Sequence, residues 1–177
     1  MTTRTDRLRL EPLAESHAAA MLPLLDDERL YQYIPDTHPR SLEALAARYR
    51  RQAAGSPSPR EIWWNFILFL GDSSVPVGYV QATLVPAERV AEVGYVLSSA
   101  HRGQGYATEA LGWLMAELGR RGDIDRVSAQ IDTRNAASIA VVRRLEFVHV
   151  ATRVEDTSTD HVFERSLADL APGRRPT

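Results

Sequence analysis

Cysteine is absent from the 177 residues, and so is lysine: all 21 basic side chains are arginine. Without a thiol there is no cysteine nucleophile, zinc thiolate, iron–sulfur cluster or disulfide, and the redox compartment cannot be read from cysteine spacing. Without lysine there is no Schiff base and no phosphate-loop lysine. An excess of one charge is lacking too, because 23 acidic residues against 21 basic leave a formal charge of −2, which argues against general attraction to nucleic acid. The opening Met1-Thr2-Thr3-Arg4-Thr5-Asp6 is not followed by the apolar stretch of a leader, and no run approaches the roughly 18 apolar residues of a membrane span. A cytoplasmic protein with no membrane partner is expected.

What is present suits one compact domain with a sizeable core, since 44% of the residues are hydrophobic and 25% charged. Arg7 to Leu10 alternates as a strand. A helix is expected from Glu15 to Leu25, distorted at Pro23, then a turn-rich stretch from Pro35 to Pro39, then a helix capped by Ser41 and running to about Ala54. From Ile62 the period becomes that of strands: Ile62–Leu70 and Val75–Val85 form a hairpin, and Val90–Leu97 follows. Ala107, Ala110, Leu111, Leu114 and Leu118 keep helical spacing until Gly122. Arg126–Ile131, Ala136–Leu145, Phe147–Val154 and His161–Leu167 then read as strand, helix, strand and strand. Hairpins mixed with one crossover unit predict an α+β domain with a mixed sheet, occupying residues 1–170, with 171–177 a flexible C-terminal tail.

Chemistry is concentrated where a strand runs through Ser98-Ser99-Ala100-His101-Arg102-Gly103-Gln104-Gly105 into a helix beginning Tyr106-Ala107-Thr108. The first turn of a helix leaves backbone N–H groups unpaired at the positive end of the dipole, so phosphate oxygens bind there without lysine. Gly103 and Gly105 let the backbone approach a ligand, and Arg102 offers a fork of donors. Gly103-Gln104-Gly105 also matches half of a dinucleotide fingerprint, with Thr108 at the third glycine position and Asp132 as the acidic partner for a ribose. Farther on, Asn135 is a good N-cap and Ser138 stands three residues beyond it. Capping accounts for both, and a ligand lying between the two strands would meet both.

These residues resemble the GNAT N-acetyltransferases, and among them the RimJ/RimL-like branch. The resemblance runs from Thr5-Asp6-Arg7-Leu8-Arg9-Leu10 to Asp160–Leu167 and is most specific in Glu92-Val93-Gly94-Tyr95, Arg102-x-x-Gly105-x-Ala107 and Thr108-Glu109-Ala110. It implies a GNAT-like fold, a three-layer arrangement whose mixed, mostly antiparallel sheet of about seven strands is flanked by helices and contains a splayed parallel pair. It also implies acetyl-CoA as co-substrate: the loop from Arg102 through Gly103, Gln104, Gly105, Tyr106 and Ala107 to Thr108 would hold the pyrophosphate. A bulge-splayed strand at Tyr95, Val96 and Leu97 would pair with pantetheine, and Asn135 would contact the cofactor. Two positions depart from the family pattern. Val142 stands where many relatives carry a tyrosine acid, and in this branch the serine, here Ser138, is the proton donor to the leaving thiolate. Glu146 replaces the glycine that precedes the phenylalanine, at a helix end where φ > 0 strains any other residue.

With no cysteine relay, an amine is expected to attack the thioester directly in a ternary complex. An alkyl amine with a pKa near ~10 must first lose a proton. Glu92 is the candidate base, acting through water, on the expectation that its strand half-buries it; the alternative is a strand glutamate facing solvent or an arginine. A free N–H at a bulge near Val96 or Leu97 would meet the oxyanion. In Trp63-Trp64-Asn65-Phe66 one face is core, and the other would line an acceptor cleft. The five histidines show no metal-ligand spacing, and no metal is expected. The acceptor is a small molecule or a protein N-terminus, and a homodimer is plausible by analogy. The competing readings are a module that binds acyl-CoA without turnover and a dinucleotide enzyme.

Overall fold

The computed structural model describes residues 2–34, 38–155 and 158–170. Part of the expected turn-rich stretch, 35–37, and the expected tail, 171–177, lie outside them.

Eight strands form one sheet: β1 (Thr3–Arg4), β2 (Leu8–Pro12), β3 (Ile62–Leu70), β4 (Pro76–Val85), β5 (Val90–Leu97), β6 (Arg126–Asp132), β7 (Val148–Val154) and β8 (Thr159–Ser166). Their order is β1-β2-β3-β4-β5-β6-β8-β7, and every neighbouring pair is antiparallel except β5 and β6. The sheet is mixed and mostly antiparallel, as expected; β1 is the additional strand, a two-residue ladder on the end of β2.

Among the described residues four α-helices cover the sheet: α1 (Ala18–Leu25), α2 (Leu42–Ala53), α3 (Tyr106–Arg121) and α4 (Ala136–Arg144). The first differs from the expected continuous helix, because Glu15–His17 forms a separate 3₁₀ turn before α1 begins. Ser41 caps α2 by accepting the Ala44 N–H at 3.1 Å. In α3 the fully buried residues include Ala107, Ala110, Leu111, Leu114, Met115 and Leu118, a stripe at helical spacing that packs on Leu8, Leu68, Ala82, Val93 and Val127 of the sheet. The opposite face of β3 to β5 carries Ile67, Phe69 and Val96, and α1 and α2 cover them with Met21, Leu25, Leu45 and Tyr49. Alternation along β3 divides its residues between the two clusters: Trp64 and Phe66 go to the α3 side, Ile67 and Phe69 to the other.

The parallel pair is held only over Val90–Glu92 against Arg126–Ser128. Beyond that the strands part, because β6 goes on pairing with β8 as far as Asp132 while β5 follows β4 without interruption from Val85↔Val90 to Gly78↔Leu97. The splay is present and the expected bulge in β5 is not: the register on β4 runs unbroken.

Glu146 follows the last turn of α4 at φ 61°, in the left-handed region. Its exposed carboxylate pairs with Arg165 at 2.6 Å. A non-glycine residue there costs of order 1 kcal/mol, more than an exposed ion pair returns. Glu146→Gly is therefore expected to raise the melting temperature by about 2 °C; calorimetry showing a decrease would mean that the ion pair outweighs the backbone strain.

Candidate functional site

The site begins where β5 leaves β6. Ser98 donates its backbone N–H to the Val77 carbonyl at 2.9 Å, which fixes the phase of the β4–β5 ladder. Hydrogen-bonded pairs alternate in an antiparallel ladder, so Gly94 and Val96 direct their backbone groups at β4, while Tyr95 and Leu97 direct theirs away from it into the gap. Of the two donors expected near the strand end, the geometry turns Leu97 toward the opening and Val96 away from it. The backbones crowd here: a Cβ on Gly78 would come within 2.1 Å of the Val96 carbonyl oxygen. Only glycine fits that crossing, which the sequence pattern did not single out.

Past Leu97 the chain makes a 3₁₀ turn, Ser99–His101, and then the glycine-bearing loop. Gly103 and Gly105 lie at φ 75° and 83°, and Gly105 is the N-cap of α3 without any side-chain hydrogen bond to the helix. The amides of the first turn of this 16-residue helix are thus uncapped by a side chain. The loop is braced from behind. Arg7 donates from Nη1 to the Gln104 carbonyl at 2.8 Å and from Nε to Glu109 at 2.7 Å, and its guanidinium lies over the Tyr106 ring at 4.6 Å. Thr5 and the Arg7 amide also donate to Glu109. Burial by itself would raise the Glu109 carboxyl, but these hydrogen bonds and the Arg7 charge hold it below the usual carboxylate range. Ser99 donates to Asp27 at 2.5 Å, tying the turn to the segment after α1. Among the described residues Arg102 has no ion-pair partner.

Across the gap stands the N-terminus of α4. Asn135 is its cap and accepts the Ser138 N–H at 3.1 Å. The Ser138 hydroxyl meets the Tyr95 hydroxyl at 3.1 Å, linking α4 to β5. Burial lifts the Tyr95 phenol above its ordinary value, against the opposing pull of the Ser138 bond and the Arg102 charge.

On the other face of the sheet lies a cavity of about 720 Å³. Its floor is Asn65, Gln81, Thr83, Glu92, Gly94 and Gln130, drawn from β3 to β6, and it reaches the splay. Tyr31, Tyr33 and Tyr49 wall it on the helical side, and Glu155, Ser158 and Asp160 on the side of the β7–β8 hairpin. Glu92 is exposed in this cavity rather than half-buried. The reason is alternation: Ala91 and Val93 point into the α3 cluster, so Glu92 points to the other face, which α1 and α2 cover only farther along the strand. Glu92 and Ser138 therefore approach the gap from opposite faces of β5. Asn65 lines the cavity as the outer face of the aromatic run, while the Trp63 indole N–H donates to Glu61.

Asp132 is buried and engaged by Arg134, which donates Nε at 2.9 Å, Nη2 at 2.5 Å and its own backbone N–H at 2.8 Å. It is thereby occupied, and the single parallel pair is not the parallel sheet of a dinucleotide-binding fold. No helix among the described residues is long and apolar enough to cross a membrane.

Comparison with known proteins adds three findings. Residues 7–148 match the family model described as an acetyltransferase (GNAT) domain. No curated protein matches the chain. Among solved structures, RimL, a ribosomal L7/L12 alpha-N-protein acetyltransferase in complex with coenzyme A, superposes with a TM-score of 0.81 at 21% identity, covering 94% of this chain and 98% of that one. The ribosomal-protein-S5-alanine acetyltransferase from Vibrio fischeri gives 0.81 at 17% identity over 97% and 100% of the chains. A GNAT-family acetyltransferase from Bacillus anthracis gives 0.80 at 16% over 94% and 99%. At these identities the likeness is one of fold.

The Arg134 contacts hold the Asp132 carboxyl at about 2, against an ordinary 3.8. A lowered carboxyl stabilises the fold above its unfolded pKa, and that contribution is lost as pH falls through the folded value. The partner guanidinium is well exposed, so about 1–2 kcal/mol is at stake rather than the full shift. Between pH ~4 and ~2 the wild type should lose this increment and Asp132→Asn should not; urea unfolding curves that move in parallel for both proteins would contradict it.

Proposed function

As the chain belongs to the GNAT acetyltransferase family, we propose that it moves an acetyl group from acetyl-CoA to a primary amine by direct attack within a ternary complex. One observation carries this reading: the strand that leads to the uncapped start of α3 is the one that parts from β6, and residues of both parted strands, Glu92 and Gly94 on β5 and Gln130 and Asp132 on β6, line a polar cavity.

The residues fit the co-substrate. The amides of Tyr106, Ala107 and Thr108, together with those of Gly103, Gln104 and Gly105, would take the diphosphate, and Arg102, without an ion-pair partner among the described residues, would add its fork. Tyr95 and Leu97 would pair with the pantetheine amides through the backbone groups they turn into the gap, with Val96 seated between them and Asn135 at the far wall. Acetyl-CoA supplies the acyl group on a sulfur leaving group. The Leu97 or Tyr95 N–H would stabilise charge on the carbonyl oxygen. Ser138 would donate to the departing sulfur, whose thiol has a pKa of roughly 8–9, so the help it gives is modest.

The acceptor would enter by the cavity. Asp132 and Arg134 neutralise one another there, leaving Glu92, Glu155 and Asp160 to outweigh Arg48, a balance that favours an ammonium group over an anion. Glu92 would hold that ammonium at the floor and pass its proton to water before attack. RimL and the S5-alanine enzyme act on ribosomal proteins by their names, which supports a protein α-amine as the acceptor.

Isothermal titration with acetyl-CoA, followed by a thiol-release assay over a panel of peptide N-termini and small amines, tests the reading. Saturable binding and acceptor-dependent release are expected; binding with no release under any acceptor would instead leave a module that only holds acyl-CoA. Two variants test the parts. Arg7→Ala unbraces the loop and should weaken acetyl-CoA binding roughly fivefold with kcat little changed; undiminished affinity would detach Arg7 from the cofactor site. Ser138→Ala should lower kcat more than it raises the acetyl-CoA KM, and an unchanged kcat removes the donor role.

A further inference from the structure

The Tyr95 hydroxyl has no place in the mechanism above, which uses only the backbone of that residue. Yet it reaches from β5 across the parted strands to α4, ending 3.1 Å from Ser138 Oγ. Among the described residues the other hydrogen bond of Ser138 outside the helix ladder is through its backbone, its N–H being given to the Asn135 cap. A serine hydroxyl rotates, and on an exposed helix start its hydrogen would sample three staggered positions. One accepted hydrogen bond excludes the hydrogen from the position facing the phenol and leaves the two that point away from it. With the Tyr95 O–H donated to a lone pair of Ser138 Oγ, the serine hydrogen is turned away from the phenol.

We propose that Tyr95 is a positioning residue that aims the Ser138 hydroxyl at the sulfur side of the gap. This rests on the donor role of Ser138 and adds to it the reason the hydroxyl points where it is needed. Tyr95 orients without itself giving up the proton, because its burial disfavours the phenolate and the phenol is therefore a fixed donor. The balance of the reaction is unaffected: the C–N bond forms, the C–S bond breaks, the amine proton leaves through Glu92 to water, and the departing sulfur is met by the Ser138 O–H and leaves as the thiol. Serine recovers its proton from solvent. The arrangement also explains a spacing that capping leaves idle. Asn135 needs only the Ser138 amide, so any residue but proline at 138 would complete the cap, whereas answering Tyr95 needs a side-chain acceptor there.

The test has a binding arm and a turnover arm. Coenzyme A and desulfo-coenzyme A, which differ in the thiol alone, are titrated into wild type, Tyr95→Phe, Ser138→Ala and the double variant. Wild type should prefer the thiol by about two- to tenfold, the worth of one net hydrogen bond, and all three variants should lose the preference. In turnover, Tyr95→Phe should lower kcat several-fold with the acetyl-CoA KM within twofold, and the double variant should be no slower than Ser138→Ala. Circular dichroism and melting curves confirm that each variant is folded; should Tyr95→Phe fail to fold, Tyr95→His, which keeps a ring at the position but is too short to reach Ser138, takes its place and should lose the thiol preference in the same way. A Tyr95→Phe protein with normal preference and kcat, or losses that add in the double variant, would overturn the proposal while wild-type turnover left the acetyltransferase reading standing. Absence of turnover in wild type would sink that reading instead.

Discussion

The site depends on a parallel ladder that stops after three residue pairs. β5 and β6 are adjacent, point the same way and are both long enough to pair further, yet each leaves the other for its antiparallel partner, β4 on one side and β8 on the other. A sheet that closed here would satisfy every amide and have nothing to offer a ligand. An open one leaves backbone donors and acceptors at Tyr95 and Leu97, and buried groups of that kind are costly unless something pairs with them. The opening is sustained because both neighbouring ladders are continuous and the sheet carries apolar clusters on both faces, so the parting costs a few hydrogen bonds against extensive burial. Gly78 marks the same constraint from behind: β4 follows β5 so closely as it turns away that no side chain fits between them.

Arginine does in this chain what lysine cannot. At Arg7 one planar group reaches a carbonyl of the loop, a carboxylate of the following helix and the face of an aromatic ring at once. A point charge on a flexible stem would neutralise Glu109 but would not fix the loop and the helix relative to each other. The proposed anion-binding end thus combines two kinds of positive potential: helix amides held in place by a guanidinium that is itself already occupied, and a second guanidinium, Arg102, that has no ion-pair partner among the described residues. Elsewhere the arginines pair with nearby carboxylates such as Asp123 and Asp125, exposed pairs of small energetic weight.

Much of this was legible in the sequence where the signal is local. The stripe of α3, the cap by Ser41 and the Asn135–Ser138 spacing each need a few neighbouring residues, and each appears where the pattern puts it. Glu146 at positive φ was readable because a single residue type stands out of place. What was not legible depends on the other side of the sheet. Whether Glu92 is buried is settled by how far α1 and α2 extend over β5, which periodicity along β5 cannot report. Whether Val96 or Leu97 faces the gap turns on the phase of hydrogen bonding with β4, fixed by Ser98 and Val77 twenty-one residues apart in the chain. β1 is two residues long and carries no pattern at all.

Ser138 shows why two explanations of one residue need not compete. Read from the sequence, its place in the cap accounts for it, and the donor role stands beside that as what the family resemblance implies. The structure separates the atoms: the cap consumes the Ser138 backbone N–H and leaves the hydroxyl to Tyr95. The cap in turn does part of the chemistry's work, because it fixes the backbone from which the hydroxyl projects, and a hydroxyl on a frayed helix start would not stay in reach of β5. Stability and reactivity are thus drawn from different atoms of the same turn. The sheet face separates the two candidates: Glu92 projects into the cavity from one face of β5, and Ser138 approaches the parted strands from the other. In the proposed reaction the parted strands between them are where the two would act on a single bond-making and bond-breaking event without touching each other.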